Sequence, residues 1–284
     1  MSTKRIRIFK NEILNEFSSN SSYTGISTKY IISLVSNGAV QYHLGKRELT
    51  LFPQSFIFLN EGTPYTSQIN SKETTNRFSV LLDPGFVCDY EYSVANKSHT
   101  LLDCPAYKDS KPVFLEAIYP LQGEIATVLR QLKNNMESGQ TNELVMAEYL
   151  NHCLESYYRF YRVEVTNRAE LLNFLNKSTR TEILKRLSIA KDFINSNYNK
   201  NISLNDIALA SCLSVNHLLR TFKQAYQMSP HQFLTQVRLR QAKYYLKHTD
   251  YQVSEIVDII GFECQSSFTR LFRNSFQVTP KQYR

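Results

Sequence analysis

The spacing of apolar residues changes along the chain and divides it. From about residue 23 to 82 the apolar positions form short runs broken by turn signals: 31–35, then Asn37-Gly38, then 40–44. Asn-Gly between two such runs predicts a tight hairpin, because both residues tolerate positive φ. A second turn at Gly45-Lys46 leads into 48–52, followed by 55–59, a loop at Asn60-Glu61-Gly62-Thr63-Pro64, and 77–82. Closely spaced short strands of this kind predict a sandwich or small barrel. The period then lengthens. Residues 123–136 and 143–161 carry Ile125, Val128, Leu129 and Leu132, then Leu144, Ala147, Leu150, Leu154 and Tyr158, at three-to-four-residue steps, which predicts two amphipathic helices around a turn at 137–140. Residues 163–181 are polar and poorly periodic and read as a linker. Beyond them 183–198, 203–211, 214–226, 230–246, 253–260, 264–276 and a stub at Pro280 predict an all-α domain of seven helices with no room for a sheet. The expected fold is therefore α+β with two domains: a β-barrel with two following helices over 1–162, the linker 163–181, and a helical domain over 182–284.

The helical domain repeats itself. At an offset of fifty Leu218 aligns with Phe268, Arg220 with Arg270, Phe222 with Phe272, Lys223 with Arg273 and Tyr226 with Phe276. The run Gln227, Met228, Ser229, Pro230, Gln232, Phe233 then aligns with Gln277, Val278, Thr279, Pro280, Gln282, Tyr283. Each copy reads as a helix, a tight turn and a second helix, with Gly261 at the second turn. Each second helix carries two stripes. Leu218, Phe222 and Tyr226, like Phe268, Phe272 and Phe276, fall at i, i+4, i+8 and should be buried. Asn216, Leu219, Arg220 and Lys223, and in the second copy Gln265, Ser266, Thr269, Arg270 and Arg273, form the other face. A polar, basic face is often merely solvated. Arg, Asn, Gln and methyl-bearing side chains are also the types that read base edges in a major groove. Ser214 is placed to cap the first reading helix, whereas Cys264 at the second is a poor cap.

Charge favours the nucleic-acid reading. The formal net charge is +8; from Arg180 onward Lys+Arg number 15 against 7 Asp+Glu, while the rest of the chain holds 18 of each. The excess is confined to the repeat-bearing third, as a phosphate-binding surface requires. Hydrophobic residues make up 42% of the chain, near the usage of folded proteins. Cys88, Cys104, Cys153, Cys212 and Cys264 are scattered, with no CxxC pair and no Cys/His cluster at zinc spacing, and read as reduced thiols. No signal peptide or membrane-length apolar run is present, so a cytoplasmic protein without membrane contact is expected.

Ser203-Leu204-Asn205-Asp206-Ile207-Ala208, the helix 214–223, Ile259-Ile260-Gly261-Phe262, Ser267-Phe268-Thr269-Arg270-Leu271-Phe272-Arg273 and the closing Val278-Thr279-Pro280-Lys281-Gln282-Tyr283-Arg284 resemble the AraC/XylS transcription regulators. The resemblance covers 183–284 and implies a double helix-turn-helix domain that enters two adjacent major grooves of double-stranded DNA and, commonly, contacts RNA polymerase to activate transcription. It makes Asn216, Leu219, Arg220, Gln265, Ser266, Thr269 and Arg270 the base readers, and leaves Lys223 and Arg273 to phosphate, which needs charge but carries no sequence information. Residues 51–65 resemble, more weakly, the cupin-like sensor domain of the same family, and helices 123–161 its dimerisation segment, although covering the barrel is an equal use for them. Cupin enzymes hold metal through a His-x-His and Glu set with a later His. Here only His43 is found, with Tyr42 and Tyr65 near the other positions, so neither metal nor cofactor is expected. A small organic effector enclosed by Tyr42, His43, Phe58, Tyr65 and Phe78 is the corresponding expectation, with core packing as the alternative for each. The enzyme readings, a cupin oxygenase or a DNA-repair methyl acceptor with an appended DNA-binding domain, require a cysteine or histidine cluster that the sequence lacks. A DNA-organising protein without sequence preference is the third class.

Overall fold

The structure, a computed structural model, describes residues 2–95, 111–139, 141–174 and 176–284; Cys104 and the last residue of the expected turn at 137–140, Gln140, lie outside them. The chain separates into two units, up to Tyr161 and from Arg162.

The first unit is built on one antiparallel sheet of strands β1 (Ser2–Ile8), β2 (Asn11–Ile26), β3 (Tyr30–Asn37), β4 (Val40–Leu44), β5 (Arg47–Leu51), β6 (Ser55–Leu59), β7 (Pro64–Leu82) and β8 (Ile118–Pro120). The main path runs β1-β2-β7-β3-β6-β8, and β4 joins β5 to β7. β2 and β7 pair along their whole lengths, with a bulge between Ser18 and Asn20 that divides each into two halves. The half of β7 near Leu82 carries β3, and the half near Pro64 carries β4. Ile31 and Val35 of β3 and Ile57 and Leu59 of β6 share one core with Val40, Tyr42 and Leu44 of β4 and Leu49 and Leu51 of β5. The two halves of the bent sheet therefore face each other.

β3 and β6 read as nearly unbroken apolar runs because both of their faces are covered. The helices of this unit are α1 (Pro84–Ala95), α2 (Gly123–Ser138) and α3 (Glu143–Tyr161), and the second face of β6 meets α3 through an aromatic cluster, where Phe58 stacks on Tyr157 at 4.1 Å and Phe114 meets Tyr157 edge-on at 5.3 Å. The buried stripe of α3 is Met146, Leu150, Cys153, Leu154 and Tyr157, with Leu144 exposed. This rotates the expected stripe, because the aromatic cluster holds Tyr157 inward.

The expected hairpin at Asn37-Gly38 does not form, since β3 pairs with β6 and β7 but not with β4. The turn instead carries the chain between the two halves of the sheet. Asn37 fastens it to β7 by accepting from the Asn76 N–H at 3.0 Å, and Gly38 adopts φ +76° where the Thr75 side chain occupies the space of a Cβ. β1, β8 and all but the last residues of β2 were not foreseen. β1 is largely exposed, with Lys4, Arg5 and Arg7 along the sheet edge and Ile8 alone buried.

The second unit contains α4 (Lys177–Asn197), α5 (Leu204–Ala210), α6 (Val215–Tyr226), α7 (Pro230–His248), α8 (Val253–Ile259), α9 (Gln265–Phe276) and α10 (Pro280–Tyr283). The expected linker is not free of structure. Arg162–Asn167 is a widened helical turn continued by a short helical turn at Arg168–Glu170, and both pack on α4 and α6 through charges that the period of apolar residues could not reveal. Glu164 bonds Arg168 at 2.7 Å and Lys191 at 3.4 Å. Arg168 donates to the Ala225 carbonyl at 3.1 Å and lies 5.0 Å from the Tyr226 ring centre.

Burial alone would raise the Glu164 pKa, but the charges of Lys191 and Arg168 outweigh it and hold the carboxyl below the ordinary 4.5. The folded state then binds fewer protons than the unfolded one beneath that value. The stability that Glu164 contributes is present above 4.5 and is lost as pH falls through the lowered pKa. Calorimetry of the full chain from neutral pH to about pH 3.5 should show the second unit losing stability steeply in acid, and Glu164→Gln should flatten that limb while lowering stability at neutral pH. An unchanged acid limb in the variant would remove Glu164 from the account.

Candidate nucleic-acid interface and effector cavity

α6 and α9 are amphipathic and each is held by its own scaffold. In α6, Leu218, Phe222, Ala225 and Tyr226 are buried, with Phe222 against Phe233 of α7 at 5.8 Å. In α9, Phe268 and Phe272 are fully buried, Phe268 lying 5.5 Å from Phe262. Phe276 is only half-buried, with Lys243 over its ring at 4.6 Å. Packing these rings inward fixes the opposite face outward. Asn216, Arg220 and Lys223 are exposed with Leu219 half-buried between them, and Gln265, Ser266, Arg270 and Arg273 are exposed with Thr269 half-buried. Gln265, Ser266, Thr269, Arg270 and Arg273 line one shallow concavity together with Asn274 and Thr279. Asn274 was missed by sequence reading, although it stands four residues beyond Arg270 on the same stripe.

Arg220, Lys223, Arg270 and Arg273 have no side-chain partner among the described residues. Cations left unpaired beside one another raise the local positive potential. Helix termini are unequal, as expected: the Ser214 hydroxyl accepts from the His217 N–H at 3.3 Å, whereas Cys264 makes no cap. Its thiol lies 2.9 Å from the Ser266 hydroxyl. That hydroxyl and the N–H groups of Ser267 and Ser266 pull the thiol down to about 7.

The repeat is less uniform than the sequence offset implies. α6 and α9 begin fifty residues apart, but α5 and α8 begin forty-nine apart, so the second turn is one residue longer. The left-handed position in the second turn is Gly261 at φ +78°, and its counterpart in the first is Cys212 at φ +53°.

In the first unit, the inward groups of β2, β4 and β7 surround a cavity of about 350 Å³ whose lining includes Glu16, Tyr23, Tyr42, Tyr65, Ser67 and Arg77. Glu16 and Arg77 stand directly opposite in the β2–β7 ladder. Arg77 donates through Nε to Glu16 Oε2 at 2.9 Å and through Nη1 to Ser67 Oγ at 2.8 Å. Glu16 is buried, yet its Oε1 has no partner among the described residues. Burial, together with the neighbouring Tyr42 and Tyr23 hydroxyls, raises the pKa of Tyr65 and keeps it a neutral donor. Of the five residues expected around an effector, the structure brings Tyr42 and Tyr65 to this cavity. His43 points away and is half-exposed with Nδ1 3.9 Å from Glu48, because neighbours along a strand face opposite sides. Phe58 and Phe78 are fully buried outside the lining, and Phe58 belongs to the aromatic cluster beneath α3. Glu16 and Arg77 escaped sequence reading because a charged pair at inward strand positions leaves no apolar signal. Among the described residues no three His, Cys, Asp or Glu side chains come together as a metal site, and no helix is long and apolar enough to cross a membrane.

Two helix-turn-helix units joined by one helix, each presenting unpaired cations on its second helix, define a tandem helix-turn-helix DNA-binding domain. Residues 207–284 match a family described as a helix-turn-helix domain. The lactose operon transcription activator of Staphylococcus xylosus is 26% identical over 164 residues, covering 56% of this chain and 53% of that protein. The raffinose operon transcriptional regulatory protein of Pediococcus pentosaceus is 22% identical over 268 residues, covering 93% and 88%. A transcriptional regulator structure from Chromobacterium violaceum, described as an AraC-type DNA-binding domain-containing protein, is 28% identical and covers 36% of this chain and 91% of that one, with a TM-score of 0.35. Residues 207–284 thus carry the matched helix-turn-helix domain, and the chain is similar to curated transcription regulators, among them the lactose operon activator and an HTH-type activator of Enterobacter. It aligns with about half the length, or less, of most of the curated relatives it matches.

Proposed function

We propose that the protein is a sequence-specific transcription regulator that places α6 and α9 in two adjacent major grooves of double-stranded DNA. The observation that carries this reading is the pair of outward stripes, Asn216, Leu219 and Arg220 on one helix and Gln265, Ser266, Thr269 and Arg270 on the other. Lys223 and Arg273 flank them with unpaired charge. Arg forks suit guanine, and Asn and Gln suit adenine. Lys223 and Arg273 hold the phosphate backbone.

The first unit is read as a cupin-like barrel that senses a small organic effector in the Glu16–Arg77 cavity. A buried carboxylate oxygen without a partner favours a molecule that donates a hydrogen bond to it. Activation through RNA polymerase and dimerisation through α2 and α3, where Leu144 is 75% exposed, complete the reading. Relatives named as operon activators and regulators support it.

Selection of duplexes from a randomised library by the full chain tests the central part. Enriched duplexes should share a two-part motif whose halves lie about 34 Å apart, one helical turn. Recovery of duplexes with no common motif would overturn it in favour of binding by charge alone.

A further inference from the structure

Two helix-turn-helix units joined only by α7 would swing about its ends, since a 19-residue helix is a rod of about 28 Å with a flexible joint at each terminus. The structure supplies a brace. Arg238, at the middle of α7 and half-buried, donates through Nε to the Tyr198 carbonyl at 2.7 Å and through Nη2 to the Lys200 carbonyl at 2.9 Å. Those carbonyls belong to the loop between α4 and α5, which leads into the first helix-turn-helix unit. The same guanidinium lies 5.6 Å from the ring centre of Phe262 in the turn of the second unit. Phe262 packs on Phe268 of α9.

The backbone of the second turn completes the contact. A Cβ on Gly261 would stand 2.8 Å from the Asn199 carbonyl oxygen and 3.1 Å from Arg238 Nη2. Positive φ alone does not demand glycine here, because Cys212 holds the equivalent left-handed position in the first turn. The difference between the two turns is that the second lies against the backbone of the loop leading into the first helix-turn-helix unit. Glycine is therefore required by the approach of one unit to the other.

We propose that Arg238 and Gly261 form a spacer clamp that fixes the separation and relative rotation of the two reading helices, making Arg238 a determinant of the half-site spacing that the protein accepts. This rests on the DNA-reading assignment above. Arg238 is a positioning residue and is not itself placed on the reading face. One added base pair displaces a half-site by about 3.4 Å and rotates it by about 34°. A braced pair of helices cannot follow that change, and an unbraced pair can.

The test is selection from a randomised duplex library by the full chain, wild type and Arg238→Ala, followed by binding to the selected duplex and to versions with one base pair added to or removed from the gap. Wild type should recover one gap length and lose roughly tenfold or more in affinity, about 1.4 kcal/mol, when the gap changes. Arg238→Ala should recover the same half-site letters with a spread of gaps and lose less than about threefold on changing the gap. Arg238→Lys keeps charge and length but not the fork to two carbonyls, should fall between them, and serves if the alanine variant does not fold. A merely destabilised domain would weaken all gaps equally and keep the single preferred one; that result, in either variant, overturns the clamp. Absence of any two-part motif with wild type removes the DNA-reading assignment itself, and the clamp with it.

Discussion

Phe268→Ala should unfold the second helix-turn-helix unit under conditions where the wild-type protein is stable. Phe268 is fully buried on α9 and touches both Phe262 in the preceding turn and Phe272 one turn further along the same helix. Truncating a buried phenylalanine costs about 3–5 kcal/mol, through lost transfer free energy and the cavity left behind. That is a large share of a domain's total of roughly 5–15 kcal/mol. The chain has no tryptophan, so calorimetry is the suitable measurement. The transition of the helical unit should fall by roughly 10–20 °C. Phe222→Ala, which truncates the fully buried counterpart of Phe272 on α6, should do the same to the first helix-turn-helix unit. Phe276→Ala, half-buried, should cost clearly less than either. Equal effects at Phe268 and Phe276 would mean that the inward stripe of α9 is misplaced.

Loss of one base-reading fork from each unit is the second large effect. Both Arg220 and Arg270 are exposed and lack a partner within the described residues, so replacing them removes nothing that holds the fold together. On the proposed reading each alanine variant should weaken binding to the selected duplex by about 1–3 kcal/mol, roughly 5–150-fold, and relax preference at one base pair only. The two relaxed positions should fall in different half-sites, and the double variant should lose nearly the sum, because the sites do not share partners. Lys223→Ala makes the contrast. It should weaken binding to every sequence alike and reduce the salt slope by about one. Arginine variants that behave like the lysine variant would assign Arg220 and Arg270 to phosphate and leave sequence reading to the amide and methyl side chains.

The helical unit was largely legible in the chain because its information is local. A helix keeps i and i+4 on one face whatever lies beyond it, so Leu218 and Phe222, and Phe268 and Phe272, could be placed inward and their polar neighbours outward. The sheet was less legible for the opposite reason. β7 runs through the polar residues 70–76, which carry no alternation, and β1 is an edge strand whose alternation is confined to Arg5-Ile6-Arg7-Ile8. The Asn37-Gly38 turn is a turn, but whether it closes a hairpin or a crossover depends on which strand lies beside β3, and that strand is β7, some forty residues further along.

The sequence by itself determined the two-part organisation, the repeated helix-turn-helix pair, the segregation of charge and the identity of the outward stripes. All of these follow from periodicity and composition within short windows. Only the tertiary structure decided how residues distant in the chain meet. It set Glu16 against Arg77 around a cavity and drew Phe58 into an aromatic cluster instead. It also packed the expected linker onto the second unit through Glu164, and laid Gly261 against Asn199 with Arg238 across the junction. Such contacts are non-local, and a charged residue that finds its partner across a ladder or a helix crossing leaves no local pattern by which to recognise it.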